Sequence, residues 1–188
     1  MTVSADESIA GMFQTVNGVN MTINATGSGD LNMASGLQGV LNGGSSSTLT
    51  INAPIVGSGG LEPENGGSIK LNGLNTYSGG TTLGNTATLT YFDNASSFGT
   101  GTITMGVAGF APLLGQGGAT ITLANKFTST VTGAGINFAA DANTPVVSTG
   151  TWSLGADNLV LRNNGVASSP LTISSVISGT GKPAGLGP

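Results

Sequence analysis

The sequence predicts an all-β protein built as a β-solenoid, in which successive coils of the chain stack on one another. Three observations lead to this fold class: short runs that alternate apolar and polar residues, connections rich in Gly, Asn and Ser, and a similarity between two distant segments. The chain has 188 residues, of which 33 are Gly, 8 are acidic and 4 are basic. Uncharged polar side chains must therefore cover a surface on which most soluble domains carry charges.

The alternating runs predict half-buried strands, because apolar and β-branched residues occupy every second position between turn-forming clusters. These runs are residues 19–25, 48–53, 68–72, 86–91, 102–107, 119–124, 128–132, 151–154, 158–162 and 170–174. The inward side chains are then expected to be Leu49, Ile51, Ile69, Leu71, Leu89, Tyr91, Ile103, Met105, Ile121, Leu123, Leu171 and Ile173. Most of the aromatic residues are expected to join them in the core.

One short helix is predicted at the N-terminus. Ser4 and Glu7 stand in capping-box spacing ahead of apolar residues that run from Ile9 to Val16. The same stretch also suits a cap over the end of a stack of strands, so both interpretations stay open.

The connections favour a solenoid over a sandwich of hairpins. Strands recur without the two-residue turns that are typical of hairpins. Residues 47–59 (STLTINAPIVGSG) align without gaps to residues 169–181 (SPLTISSVISGTG) with seven identical positions. Internal similarity of this kind is typical of repeat architectures.

Composition excludes several classes of function. The basic residues Lys70, Lys126, Arg162 and Lys182 are too few to neutralise a row of phosphates, so nucleic acid is not an expected partner. The chain has neither Cys nor His, which excludes disulfides, thiol and imidazole catalysis and the common zinc sites. No stretch approaches 18 consecutive apolar residues, so no membrane helix is expected. We expect no cofactor and no metal.

The acidic residues offer weak candidates for catalysis. Glu62 and Glu64 are two residues apart, so on a strand both carboxylates would lie on one face, as a glycoside hydrolase would require of its acid pair. Pro63 between them favours a solvated turn instead. The remaining candidates are predicted to be turn residues or an unrepeated fragment of a calcium-binding motif: Asp93, Asp141, Asp157, and Gly27 and Gly29 with Asp30. The sequence therefore predicts a protein that is not an enzyme.

Residues 55–101 closely resemble the passenger-associated transport repeat, also called the autotransporter-associated β-strand repeat. The resemblance rests on GSGGL at 57–61, LNTYSGGTT at 74–82 and FGTG at 98–101. Its signature positions are Gly57, Gly59, Gly60, Leu61, Asn75, Thr76, Tyr77, Gly79, Gly80, Thr81 and Thr82. Residues 171–181 resemble the start of a second repeat, which residues 182–188 do not continue, so the chain is expected to be a fragment of a longer passenger.

The resemblance implies a right-handed parallel β-helix from the secreted passenger of a bacterial autotransporter. In that family a signal peptide precedes the passenger and an outer-membrane β-barrel follows it. The expected role is a structural stem at the surface of a Gram-negative-type bacterium, which assists its own export by folding stepwise. The alternative is an adhesin or self-associating surface protein, with a host glycan or host protein as partner.

Two further functions are less favoured. One is a polysaccharide-active enzyme, because β-helices host such enzymes. The other is ice binding, suggested by Thr-x-Thr triplets at 48–50, 88–90, 102–104, 120–122 and 130–132. Binding to the flat lattice of an ice surface would need the triplets at a constant interval along the sequence, and their spacing is irregular.

Overall fold

The computed structural model describes residues 1–9, 11–36, 38–42, 44–64, 66–84, 88–106, 109–131, 134–140, 144–153, 160–163 and 170–180. Every regular element among these residues is a β-strand, and no helix occurs among them. All of the strand pairs are parallel and join neighbouring coils, so an interior strand of a sheet pairs with one strand a coil earlier and one a coil later. The predicted β-solenoid is confirmed.

The described residues form 22 short strands, mostly of three to five residues. They are β1 (Thr2–Val3), β2 (Glu7–Ile9), β3 (Met12–Gln14), β4 (Met21–Ala25), β5 (Leu31–Met33), β6 (Gln38–Asn42), β7 (Thr48–Ile51), β8 (Ile55–Gly57), β9 (Gly60–Glu64), β10 (Ser68–Leu71), β11 (Thr81–Leu83), β12 (Leu89–Phe92), β13 (Ile103–Met105), β14 (Gly109–Gly115), β15 (Ile121–Leu123), β16 (Phe127–Ser129), β17 (Ala134–Ala140), β18 (Val146–Ser148), β19 (Trp152–Ser153), β20 (Val160–Asn163), β21 (Leu171–Ile173) and β22 (Ile177–Ser178).

The strands form three faces of the solenoid. Face 1 has the order β1-β4-β7-β10-β12-β14-β17-β20, and face 2 has the order β3-β6-β9-β11-β13-β16-β19-β22. Face 3 consists of two separate sheets, β2-β5-β8 and β15-β18-β21. We number the coils 1 to 8 after their strands in face 1. Face 3 therefore lacks a strand in coils 4 and 5.

The core lies between the three faces and is built from columns of side chains that follow the axis. Leu49, Ile69 and Thr90 are aligned in face 1, and all three are buried. In face 2 the column includes two aromatic residues, Phe127 and Trp152, whose rings stack at 4.0 Å between centroids, and it continues to Ile177 of β22. Because each coil packs on the next, stability is the sum of neighbour interfaces and does not depend on one central core.

The alternation places most inward side chains correctly. Each of the ten predicted runs contains a strand, and the inward residues of β7, β10, β13 and β15 are buried as expected. Leu171 and Ile173 of β21 are half-buried.

The inward assignment of Leu89 and Tyr91 is wrong, because the strand has the opposite phase. Leu89 is 36% exposed, whereas Thr90 and Phe92 are buried. The pairing with coil 4 fixes this phase, since Thr90 and Phe92 are aligned with the buried residues Ile69 and Leu71.

The predicted N-terminal helix is also wrong. Residues in that stretch form β2 and β3, which pair with β5 and β6 of coil 2. The Glu7 amide donates a hydrogen bond to the Asp30 carbonyl at 2.9 Å, so the backbone groups that a helix would use are bonded to the next coil. The alternative interpretation, in which the stretch covers the end of a stack, agrees with the parallel pairing of coil 1.

The two similar segments occupy different faces. Residues 48–51 form β7 in face 1, whereas residues 171–173 form β21 in face 3. The two segments therefore share a pattern of strand and turn, but they occupy non-equivalent positions in their coils. The assignment of residues 171–181 to a second repeat stays a prediction.

Candidate functional surface

The Tyr77 side chain fills the core of coil 4, where face 3 has no strand. Tyr77 is fully buried, and its hydroxyl lies 2.6 Å from the Thr81 Oγ1. Burial raises the pKa of the Tyr77 hydroxyl well above its ordinary value, although the hydrogen bond to Thr81 opposes this shift. Tyr77 is therefore a neutral, hydrogen-bonded core residue.

Asn75 connects three coils through one side chain. Its Oδ1 accepts a hydrogen bond from the Ile55 amide in coil 3 at 2.8 Å, and its Nδ2 donates to the Ser97 carbonyl in coil 5 at 2.7 Å. The residue is buried. Both backbone groups lie where a face 3 strand would otherwise have bonded them, so the Asn75 amide replaces part of the missing ladder.

The signature glycines allow close contact between coils at the corner that follows face 3. An added Cβ at Gly79 would lie 2.6 Å from the Gly59 carbonyl oxygen, and one at Gly80 would lie 2.6 Å from the Thr102 carbonyl oxygen. Gly57 adopts a φ of 97°, which favours glycine. The main chains therefore approach too closely at this corner for larger residues.

The other signature residues are divided between the core and the surface. Gly60 and Leu61 are buried at the start of β9, and Thr81 is buried at the start of β11. Thr76 is exposed, and Thr82 is half-buried on the outer side of face 2. The structure thus brings the signature together as one structural corner of coils 3 and 4.

An asparagine ladder follows the corner after face 1. Asn52 Nδ2 donates to Asn24 Oδ1 at 2.7 Å, and Asn72 Nδ2 donates to Asn52 Oδ1 at 3.0 Å. In coil 5 the pattern changes, because Asn94 Nδ2 donates to the Asn72 carbonyl at 3.1 Å. The ladder gives the coils a side-chain register in addition to their backbone pairing.

Glu62 and Glu64 lie in strand β9, so the predicted solvated turn is wrong. Pro63 points into the core, and both carboxyl groups lie on the outer side of face 2. They are next to Gly84, since a Cβ added to Gly84 would lie 3.4 Å from the Glu64 Oε1. Burial, a hydrogen bond between the two side chains and their mutual repulsion raise the pKa of Glu62 above 4.5.

A row of hydroxyl side chains lies on the outer side of face 2, and sequence reasoning did not find it. We call it the hydroxyl row; its members are Thr82, Thr104, Thr128, Ser153 and Ser178, which are strand partners in consecutive coils. The three threonines are half-buried and the two serines are exposed. The members are 22 to 25 residues apart in the sequence, so only the pairing of the coils reveals them.

The Thr-x-Thr triplets do not form this row together. Residues 48–50 and 88–90 belong to face 1, residues 102–104 to face 2 and residues 120–122 to face 3. Thr88 and Thr90 are buried. The four triplets that are fully described therefore do not share one face, and Thr132 of the fifth, 130–132, lies outside the described residues.

The remaining charged candidates are dispersed. Asp93 is exposed and accepts a hydrogen bond from Asn94 Nδ2 at 2.8 Å. The Lys70 ammonium lies 5.2 Å from the centroid of the Tyr91 ring on the outer side of face 1. Gly27 and Gly29 lie at the turn before β5 with Asp30, whose carbonyl bonds to coil 1. Arg162 lies in β20, whereas Asp141, Asp157 and Lys182 lie outside the described residues.

In the part of the chain that the structure describes, no three acidic residues gather as a metal site would need. The same part contains no helix of the length and apolarity that would cross a membrane. Comparison with models of protein families, with curated proteins and with solved structures gave no match. A function for this chain is therefore inferred from its own geometry.

Proposed function

We propose that this chain is a segment of the structural stem of a secreted autotransporter passenger in a Gram-negative-type bacterium, with the rest of the parent chain continuing to an outer-membrane β-barrel. The supporting observation is the order of the faces, in which every strand pairs only with the coils directly before and after it. A column built in this way extends in one direction and separates its two ends. That geometry suits a spacer between a membrane and an effector domain.

Stepwise folding during export is the second part of the proposal. Each coil satisfies its backbone groups on the preceding coil, as when the Asn52 amide donates to the Ile23 carbonyl at 2.8 Å. A coil that emerges from a pore therefore finds its template already folded, and no long-range contact has to wait for the rest of the chain. Folding outside the membrane then opposes backward movement of the chain.

The test is surface display of the full chain between a signal peptide and an autotransporter β-barrel. We expect the chain to reach the surface and to resist protease there. Gly79→Ala forces coils 3 and 4 apart and is expected to slow its appearance, whereas Gly11→Ala is the matched control because no atom lies within 4 Å of its added Cβ. Equal export rates for both variants, or a surface-exposed chain that protease digests fully, would contradict the proposal.

Adhesion is the second candidate, and one patch of face 1 favours it. Leu89, Pro112 and Leu114 lie on the outer side of β12 and β14 beside Tyr91, where the outer residues of the two preceding coils are Thr48, Thr50, Ser68 and Lys70. This apolar patch would suit self-association or a host protein or glycan. Light scattering of the purified chain tests it: a mass that rises with concentration and returns to the monomer in Leu89→Asn supports adhesion, and a constant monomer mass rejects self-association.

A further inference from the structure

The hydroxyl row is a one-dimensional array with a fixed repeat. Parallel coils place its members about 4.8 Å apart along the axis, so the five members cover roughly 19 Å. Threonine side chains have few χ1 rotamers, and packing between neighbouring coils restricts the three threonines further, since each is half-buried. The row therefore presents hydroxyl groups that are already ordered before any ligand binds.

The chemistry of the row is polar and uncharged. A threonine or serine hydroxyl can both donate and accept a hydrogen bond, as a sugar hydroxyl can. The Ser178 Oγ already donates to the Trp152 carbonyl at 3.2 Å, so that end of the row offers a ligand an acceptor. Gly84 and Gly106 are next to Thr82 and Thr104 on the same outer side, two residues further along their strands. Neighbouring side chains fill the space over both glycines: the Glu62 Oε1 lies 2.5 Å from the position of a Cβ on Gly84, and the Thr82 Cγ2 lies 2.9 Å from the position of a Cβ on Gly106.

The acid pair lies at one end of the row. Leu61 is the strand partner of Thr81, so Glu62 occupies the same outer column as Thr82, one coil earlier. Carboxyl oxygens accept hydrogen bonds from hydroxyl donors more strongly than neutral oxygens do. A ligand rich in hydroxyl groups would therefore meet strong acceptors at this end of the row.

The outer residues two positions before three members of the hydroxyl row form a neighbouring column. The chemistry of this column indicates whether the surface suits a linear ligand or a flat one. Residues that precede β13, β16 and β19 on this side are Thr102, Lys126 and Thr151, and the exposed Lys126 interrupts the hydroxyl pattern there. A second continuous row, which a flat lattice such as ice would need, is therefore missing among these positions. A single row fits a single extended chain.

We propose that the hydroxyl row binds a neutral, extended β-linked polysaccharide chain that lies parallel to the solenoid axis. Its sugar units are close in length to the rise of one coil, so each unit meets one hydroxyl of the row. The site would add a recognition function to the stem, and it does not depend on the route of export.

The experiment is affinity electrophoresis of the full chain in native gels that contain hydroxyethyl cellulose, a neutral β-1,4-glucan. We expect the polymer to retard the chain and the double variant Thr104→Val/Thr128→Val to lose at least tenfold in apparent affinity, because valine keeps the β-branched shape without the hydroxyl. The matched control is Thr22→Val/Thr50→Val, a pair of strand partners on the outer side of face 1. Circular dichroism confirms that both variants fold.

Three results would overturn the proposal. The first is a chain that the neutral glucan does not retard. The second is an equal loss of affinity in the face 1 control, which would assign binding to threonine content and not to this row. The third is retardation by polygalacturonate alone that disappears in salt, because charge and not the hydroxyl row would then bind the ligand. Thermal hysteresis without retardation would instead identify ice as the ligand and would equally reject the glycan.

Discussion

Coils 1 to 3 and coils 4 to 5 differ in how the chain passes along face 3 and contacts the neighbouring coils. In coils 1 to 3 the strands β2, β5 and β8 form a regular parallel ladder. In coils 4 and 5 the chain passes the same face without a strand, and Tyr77 and Phe98 fill the core there. The comparison shows that the stack depends on satisfied backbone groups and not on strand geometry.

Buried side-chain amides supplement the backbone bonds of the interrupted coils, where face 3 has no strand. Asn75 bonds to coils 3 and 5, and Asn125 Nδ2 in coil 6 donates to the carbonyls of Gly99 at 3.1 Å and Gly101 at 2.8 Å in coil 5. Both asparagines are buried. Backbone bonds between coils continue in the interrupted part, as when the Thr76 amide donates to the Ile55 carbonyl at 2.8 Å and the Ser78 amide to the Gly57 carbonyl at 3.0 Å, and the buried side-chain amides add to them.

The largest effect is expected for Asn75→Ala. The variant leaves the Ile55 amide and the Ser97 carbonyl without partners in the core, which would lower the free energy of unfolding by about 3 kcal/mol. Urea denaturation followed by circular dichroism measures this loss. Asn52→Ala in the exposed asparagine ladder is the control, with an expected loss of about 1 kcal/mol or less. Equal losses would mean that the interrupted coils are no more dependent on single side chains than the regular ones.

Gly79→Ala is expected to have the next largest effect, a loss of about 2 kcal/mol from overpacking between coils 3 and 4. The added Cβ would lie 2.6 Å from the Gly60 amide nitrogen, and backbone cannot move aside as a flexible side chain can. Thermal unfolding measures the loss, with Gly11→Ala in coil 1 as the control. A melting temperature that is unchanged in Gly79→Ala would show that the corner is loose.

Tyr77→Phe removes the hydroxyl that bonds to Thr81 in the interrupted part, and we expect a loss of about 1 kcal/mol. The double variant Tyr77→Phe/Thr81→Val removes both polar groups and should recover part of that loss. Tyr91→Phe on the outer side of face 1 is the control. A double-mutant cycle without coupling would show that the hydroxyl pair does not contribute.

The buried Tyr77 also predicts a dependence of stability on alkaline pH. Its pKa in the folded protein is raised above the ordinary value of 10.0, so the unfolded chain releases the proton first. The contribution is therefore complete below pH 10.0 and is lost as the pH rises through the folded pKa. Urea midpoints measured between neutral and alkaline pH should fall in the wild type and fall less in Tyr77→Phe. Parallel curves would contradict buried ionisation at this residue.

The smallest effect is expected for Glu62→Gln in the regular sheet of face 2. The pKa of Glu62 is raised, so its contribution is complete below pH 4.5 and is lost as the pH rises through the folded pKa. At neutral pH the amide removes the repulsion from Glu64, and we expect a gain below about 1 kcal/mol because both groups are partly solvated. Glu7→Gln changes the same charge without the pair. A gain of equal size in this control would assign the effect to net charge.

Alternation between core and surface was the part of the fold that the sequence could predict. In TLTI and SIKL the apolar residues occur at every second position, and those strands are correct in place and in phase. The phase of β12 could not be predicted, because LTYF has apolar residues on both sides and only pairing with β10 selects Phe92 as the inward residue. Local patterns fix strands, and neighbouring coils fix which side faces inward.

The candidate surface was largely invisible in the sequence for the same reason. The residues of the corner are contiguous in two short segments, 57–61 and 75–82, so the sequence could point to them, while their assignment to the repeat stays a prediction. The hydroxyl row joins residues from five coils, and the acid pair was assigned to a turn because Pro63 disfavours a strand in isolation. A prediction of either feature needs the register of the coils, which single-sequence patterns do not give.

The asparagine ladder has a consequence for how this molecule changes over generations. Its steps join residues 28 positions apart in one case and 20 in the next, yet both keep the same side-chain bond. Coils of different length thus keep the same side-chain register. Extra residues at a corner project away from the axis and leave the stacking of the strands unchanged. Duplication or deletion of a whole coil would lengthen or shorten the column by about 4.8 Å, the spacing of adjacent parallel strands.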